Sequence, residues 1–273
     1  MRIVTHTCSN TEIVCALDRA DWLVGVDDHS DHPPEVVAGL PRIGPDLDID
    51  IDRILALKPD LVITSLTVPG HEHCLARIQA AGLPHLVTRP HSLSDVATDI
   101  ARIGKALDAR GEAEALCRRF RQVLEQDRPE HPLPVLIEWW PKPVIVPGGK
   151  SWVNEMLAIA GACNPFAHLE AESTEISPEQ AVDAVPEAIV MSWCGVDESK
   201  YRPHIVARRT GWEEIPAIRN HRIHAISEAW LGRPGPRLLE GIDRLAKVVA
   251  SCRQDGPDAG REMQGKLTAD ERR

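Results

Sequence analysis

One tyrosine and two phenylalanines are all that this 273-residue chain has of those residues, although it carries seven tryptophans. No apolar run approaches the ~20 residues that a helix needs to cross a bilayer, which leaves no candidate membrane span. Positive charge is not in excess: 31 Lys and Arg against 41 Asp and Glu give a net charge of −10. Nucleic acid is therefore excluded as a main partner, because phosphate contact calls for a basic face. The seven cysteines, at 8, 15, 74, 117, 163, 194 and 252, are odd in number and lack CxxC spacing. That pattern reads as scattered small hydrophobes and thiols rather than a disulfide framework. The N-terminus, MRIVTHTCSNTEIVCAL, lacks the basic segment and long apolar stretch of a secretory signal. Together these absences predict a reduced, cytoplasmic protein, with a periplasmic location as the alternative if a leader has been removed.

What is present is a globular composition, 43 % hydrophobic and 26 % charged, with length enough for a sizeable core. One phrase occurs twice. Residues 56–65 read ALKPDLVITS and residues 184–192 read AVPEAIVMS, so that Pro59 answers Pro186, Asp60 answers Glu187 and Ser65 answers Ser192. Each copy reads as a helix end, a proline turn and a buried parallel strand. Two such units predict two similar α/β lobes with a ligand cleft between them.

In the first lobe the pattern predicts strands at Ile3–Thr5, Leu23–Val26, Leu61–Thr64 and Leu86–Thr88. Helices are expected at Asn10–Leu17, Ile51–Leu57 and Glu72–Ala81, with Ser9 to Glu12 as a capping box. From Ser94 to about Glu125 the periodicity is continuously helical, with Ser94 as N-cap and a break or kink at Gly111. The second lobe reads as strands at Val135–Glu138, Ala188–Ser192 and Ile223–Ile226. Its helices are Ser151–Ala160, Pro178–Ala184, a stretch near Pro203–Arg209, and about Pro236 to Cys252. The expected organisation is an N-terminal lobe at 1–93, a linking helix at 94–126, a C-terminal lobe at 127–253 and a disordered tail at 254–273.

Five tryptophans of the second lobe, Trp139, Trp140, Trp152, Trp193 and Trp230, fall at predicted strand or helix junctions. Open α/β sheets bind ligands outside the carboxyl ends of their strands, so these indoles could wall a site for a large, flat, partly apolar ligand. Packing of each within its own lobe is the alternative. DDHSDHPP (27–34) follows a strand and opens at the same end. His29 and His32 could ligate a metal, but they supply two donors where three or four are needed. His71 and His73 diverge on a helix start. PGGKS (147–151) lacks the first glycine of a phosphate loop, where Val144 stands, and reads as a turn with Ser151 as N-cap. DLDIDID (46–52) lacks the glycine and glutamate of a calcium loop and reads as a solvated edge.

SNTEIVCAL, VGVDDHSDHPP, ALKPDLVITS, GKSWVNEMLAIAGACN and GRPGPRLLEGIDRLA, in that order, resemble the substrate-binding proteins of cobalamin and iron-chelate ABC importers. The likeness is to the cobalamin-binding branch in particular and spans about residues 2–250. It implies the class III periplasmic-binding-protein fold: α/β, two lobes with mostly parallel central sheets joined by a single long backbone helix. It further implies a cobalamin-like corrinoid or related metal chelate as ligand, no obligatory cofactor, no metal site of the protein's own and no catalysis. Asp28 and His29 of the DDHSDHPP loop, the five tryptophans and Arg233 are the implied ligand contacts. His29 stands where the family often has an aromatic, and Trp230 and Arg233 stand in the loop before Pro236 and Arg237. Glu72 and Glu198 are the implied docking carboxylates toward an ABC permease. The family is exported or lipid-anchored, so the absence of a leader suggests a cytoplasmic relative that buffers or senses a corrinoid. Two other readings are an enzyme acting on a corrinoid or chelate through Asp27, Asp28, His29 or Cys194, and a direct metal binder using His29, His32 and nearby acids.

Overall fold

A computed structural model describes residues 1–254. It divides into two compact units. The first comprises Met1–Glu125 and Arg233–Arg237, and the second comprises Gln126–Gly232 and the chain from Leu238 onward.

The first unit runs β1 (Ile3–Thr5), α1 (Cys8–Ala16), β2 (Leu23–Val26), α2 (Pro34–Val37), α3 (Ile51–Ala56), β3 (Leu61–Ser65), α4 (His71–Ala80), β4 (His85–Thr88), α5 (Leu93–Ala106) and α6 (Arg110–Leu124). Its sheet is parallel in the order β2-β1-β3-β4. Val4, Ile54, Val62 and Ile78 of its strands and helices share a core with Ile43 of the segment before α3.

In the second unit come β5 (Leu133–Glu138), β6 (Trp140–Pro141), β7 (Val144–Pro147), α7 (Val153–Ala160), β8 (Ala162–Cys163), β9 (Ser173–Glu175), α8 (Pro178–Asp183), β10 (Ala188–Met191), α9 (Pro203–Ala207), α10 (Pro216–Arg219), β11 (Ile223–Ala225), α11 (Glu228–Leu231) and α12 (Leu238–Gln254). The central sheet is again parallel, ordered β11-β10-β5-β8. A small antiparallel sheet, β6-β7-β9, stands beside it in the same unit. Nothing in the periodicity announced it, because β6 and β7 each end in a proline and β9, Ser-Thr-Glu, has no apolar residue.

The repeated phrase is one structure made twice. β3 and β10 are both internal strands of their sheets. The N–H of Asp60 donates to Arg2 O at 2.8 Å, and that of Glu187 donates to Pro134 O at 2.9 Å. In both copies the residue before the proline has positive φ, 47° at Lys58 and 44° at Val185. A left-handed residue stops the preceding helix, and the proline cannot continue it. A β-branched side chain is strained there, at a cost of about 1–2 kcal/mol. Val185 is exposed, so nothing in its packing offsets the strain. Val185→Asn is expected to raise stability by about 1 kcal/mol, read as a higher urea midpoint at unchanged slope; a lower midpoint would show that the left-handed turn is not strained.

The continuous helix expected from Ser94 to Glu125 is two helices. α5 begins at Ser92, whose hydroxyl accepts from the N–H of Asp95, and Ser94 lies inside the first turn. The chain leaves the helix at Leu107, and Asp108 takes φ 48°. Gly111 is inside α6 and does not break it. The glycine that matters is Gly104, where a Cβ would stand 2.3 Å from Ala113 Cβ, so α5 and α6 pack backbone to backbone. Both helices belong to the first unit, and so do residues 233–237, which the sequence reading placed in the second lobe. Ser9 is also not a cap. It lies within α1, whose N-cap is Thr7, and Glu12 is engaged by arginine instead. Ser151 likewise precedes the N-cap Trp152 of α7. Gly148 and Gly149 do form a turn, against Ala171 O and Ala167 O, where a Cβ would lie 2.3 and 2.5 Å away. Of the expected tail, Gln254 is still helical and residues 255–273 lie outside the described residues.

Candidate functional site

In the first unit the carboxyl ends of all four strands carry buried polar side chains: Thr5 and His6 at β1, Asp27 at β2, Thr64 and Ser65 at β3, and Thr88 at β4. Buried polar groups are tolerated when bonded to one another, and these are. Ser30 donates to Asp27 Oδ1 at 2.5 Å. A carboxylate can only accept, so Ser30 must in turn accept from Thr11 (2.7 Å) and Thr11 from Thr5 (2.7 Å). Burial raises the Asp27 carboxyl above its usual range, against the Ser30 and His29 hydrogen bonds. This chain of hydroxyls ties the loop after β2 to α1.

Asp46 is a second hub. His6 Nε2 lies 2.6 Å from its carbonyl oxygen and His6 Nδ1 lies 2.7 Å from Thr64 Oγ1. A carbonyl only accepts, so Nε2 carries the proton and the hydroxyl donates to Nδ1. Burial holds the His6 pKa down at about 4 and keeps the ring neutral. His71, fully buried at the start of α4, brings Nε2 to 3.6 Å from Asp46 Oδ2, and His29 brings its own to 3.5 Å from Oδ1. The proximity of the His71 and His29 imidazoles holds the Asp46 carboxyl below its usual range against burial. Even so, among the described residues no group of three or more His, Cys, Asp or Glu is arranged to hold a metal ion.

The five residues 233–237 bring two arginines to α1 and the loop after β2. Arg237 forks onto Glu12, with Nε to Oε2 at 2.9 Å and Nη2 to Oε1 at 2.5 Å. Arg233 forks onto Asp31 at 2.5 and 3.1 Å and lies 3.6 Å from Glu12 Oε1. Burial opposes ionisation of Asp31, but the hydrogen bonds and charge of Arg233 and the charge of Arg237 outweigh it and lower its pKa. Arg233, expected to contact ligand, thus holds an acid of its own unit. Asp28 and His29, shortly before Asp31 in the chain, are both exposed.

In the second unit the tryptophans differ in their surroundings. Trp140 is the most open, 39 % exposed, with Nε1 donating to Lys142 O. Trp152 and Trp230 are half-buried. The first donates to Leu231 O at 2.8 Å, and the Arg244 guanidinium lies 4.1 Å from the ring centre of the second. Trp139 and Trp193 are buried, and Trp193 belongs to the core with Leu136, Ile189, Met191, Tyr201 and Trp212. Its Nε1 donates to Glu138 Oε1 at 2.8 Å, and Tyr201 donates to its carbonyl at 3.1 Å. Glu138, fully buried, also takes the fork of Arg209 at 2.5 and 3.0 Å.

Glu72 is exposed, and its carboxylate accepts the Gly70 N–H at 3.1 Å, capping α4. Glu198 is exposed at the start of a 3₁₀ turn. His6, Asp46, Glu138 and Arg209 were missed in the sequence. The available signal was position, since His6 and Glu138 each stand at the carboxyl end of a strand. Asp46 lay in the segment read as a solvated edge.

The sequence model of a family described as periplasmic binding protein matches residues 3–229. A 31 % identical relative, over 91 % of this chain and 79 % of its own, is an uncharacterized ABC transporter substrate-binding lipoprotein of Bacillus subtilis. A vitamin B12-binding protein of Vibrio parahaemolyticus is 28 % identical over 93 % of this chain and 90 % of its own. Among solved structures, the periplasmic heme-binding protein RhuT from Roseiflexus sp. RS-1 aligns with TM-score 0.79 at 30 % identity, covering 92 % of this chain and 98 % of that one. The periplasmic vitamin B12-binding protein BtuF of Vibrio cholerae aligns with TM-score 0.76 at 25 % identity, covering 93 % and 98 %. These findings overturn the cytoplasmic expectation. The relatives are periplasmic or lipoprotein receptors, and unpaired cysteines together with the composition of an N-terminus are too weak an indicator of compartment to stand against them.

Proposed function

The chain belongs to the periplasmic binding protein family, whose members bind solutes for transport and are not enzymes, and from that membership we propose that its ligand is a cobalamin-like corrinoid handed to an ABC permease. Catalysis through Asp27, Asp28, His29 or Cys194 is set aside by the same membership. The observation that supports the ligand class is Trp140, 39 % exposed just beyond the end of β5, with half-buried Trp152 and Trp230 in the same unit. Flat apolar faces with a polar edge suit a macrocycle of the same character. Relatives named as vitamin B12-binding proteins, matched along more than nine-tenths of this chain, support a corrinoid. A haem reading has its own support in the RhuT likeness and in His29, whose half-open imidazole could ligate iron.

Titration of the purified protein with cobalamin, cobinamide and hemin, followed by visible absorbance, tests both. The expected result is tighter binding of a corrinoid, which is released unchanged. Tighter binding of hemin would transfer the assignment to haem, and binding of neither would overturn the proposal. Trp140→Ala is expected to weaken the ligand at least tenfold, as truncation of an aromatic anchor at about 2 kcal/mol implies.

Glu72 and Glu198 are the proposed contacts to the permease. Transporter ATPase stimulation should fall sharply in the Glu72→Ala, Glu198→Ala double variant while ligand affinity holds. Undiminished stimulation would assign Glu72 to capping alone.

A further inference from the structure

The buried acid at the end of β5 does more than close a core. Glu138 Oε1 accepts from Trp193 Nε1 and from Arg209 Nη2, and Oε2 accepts from Arg209 Nη1. The same Nη2 reaches Pro141 O at 3.2 Å. One guanidinium therefore grips the residue before the Trp139–Trp140 pair and the residue after it. Its own orientation is set by stacking, with Cζ 4.5 Å from the ring centre of buried Trp212. The Trp139 backbone is tied on both sides, its N–H donating to Ile145 O at 2.8 Å and its carbonyl accepting from Cys194 N–H at 3.0 Å, whereas Trp140 stands on a short strand with its indole bonded to Lys142 O. β6 is two residues long, and its second member, Pro141, has no N–H to give the β6–β7 ladder.

Stability does not explain such a pair. A buried ion pair is often matched or bettered by apolar residues of similar volume, because desolvation of both charges offsets their attraction. What an apolar pair cannot supply is direction: a fork, a third donor and a carbonyl contact together select one conformation. We propose that Glu138 and Arg209 are positioning residues that hold the Trp139–Trp140 turn in the pose in which Trp140 meets the ligand. The proposal rests on the macrocycle reading above.

The test uses whichever of cobinamide or hemin the wild-type protein binds. Arg209→Lys keeps the charge and removes the fork and the stacking; Glu138→Gln keeps an acceptor for Trp193 and removes the charge. Each is expected to raise Kd at least tenfold while far-UV circular dichroism and cooperative unfolding persist. The decisive measurement is the Arg209→Lys, Trp140→Ala double variant. If the clamp acts through Trp140, the double variant binds no more weakly than Trp140→Ala alone. Losses that multiply would overturn the proposal, as would Kd within twofold of wild type in either single variant. Loss of cooperative unfolding in both single variants would also overturn it, making the pair a determinant of the fold. If the wild type binds neither probe, the functional reading fails, and that result is distinct from all of these.

Discussion

Arg237→Ala is expected to cost about 3–5 kcal/mol of folding stability, the range for removing one partner of a buried ion pair. Glu12 is 3 % exposed in its side chain and lies on α1, where water cannot replace the lost guanidinium. Its two oxygens accept from Arg237 at 2.9 and 2.5 Å. Arg233 remains 3.6 Å from Oε1 and compensates in part, which sets the lower half of that range as the expected loss. The pair also fastens residues 233–237 to the first unit, so the variant should loosen that segment. Urea unfolding measures the loss, and hydrogen exchange of the 233–237 amides measures the loosening. Because most of the cost is the stranded carboxylate, Glu12→Leu combined with Arg237→Met should recover much of it. A loss under 1 kcal/mol for Arg237→Ala would mean that Glu12 is solvated in a way that its burial does not indicate.

Acidification from pH 6.5 toward 4 should destabilise the first unit through His6. The folded pKa of His6 is about 4 and the unfolded value is 6.5. Between those values the unfolded chain takes a proton that the folded chain refuses, so stability rises with pH. The contribution of neutral His6 is complete above 6.5, declines as pH falls toward 4, and is constant below that. Two and a half units correspond to about 3 kcal/mol. Burial is the main cause, and the neighbouring His71 adds to it; the Asp46 carbonyl works the other way. Asp27 has the opposite sign. Its raised carboxyl contributes stability at low pH that is lost as pH rises through its folded value, so it offsets part of the decline. Comparison with His6→Gln isolates the imidazole. The variant should be less stable at pH 7.5, having lost the Thr64 contact, yet show a flatter dependence from 6.5 to 4. Parallel profiles for wild type and variant would show that His6 charges in the folded state.

The strands were legible because each is a short apolar run between turn residues, and because Pro59 and Pro186 mark equivalent places in two copies of one unit. The helix ends were less legible. Ser9, Ser94 and Ser151 all have the chemistry of caps, but the chain enters its helices at Thr7, Ser92 and Trp152, since a cap is set by where the backbone turns and not by which hydroxyl is near. Gly111 misled for a related reason. Glycine can end a helix, but the end came where Leu107 and Asp108 let α6 fold back until Gly104 met Ala113.

Sequence by itself determined the class of fold, the duplication, the parallel strands and the position of their carboxyl ends. Those follow from hydrophobic period and turn chemistry, which act over a few residues. Tertiary structure decided which indole is open and which is core, and which arginine holds which acid. Glu12 and Arg237 are 225 positions apart, and Asp31 and Arg233 are 202 apart. A buried charge is tolerated only with its partner, and no local pattern records a partner that topology brings from the far end of the chain.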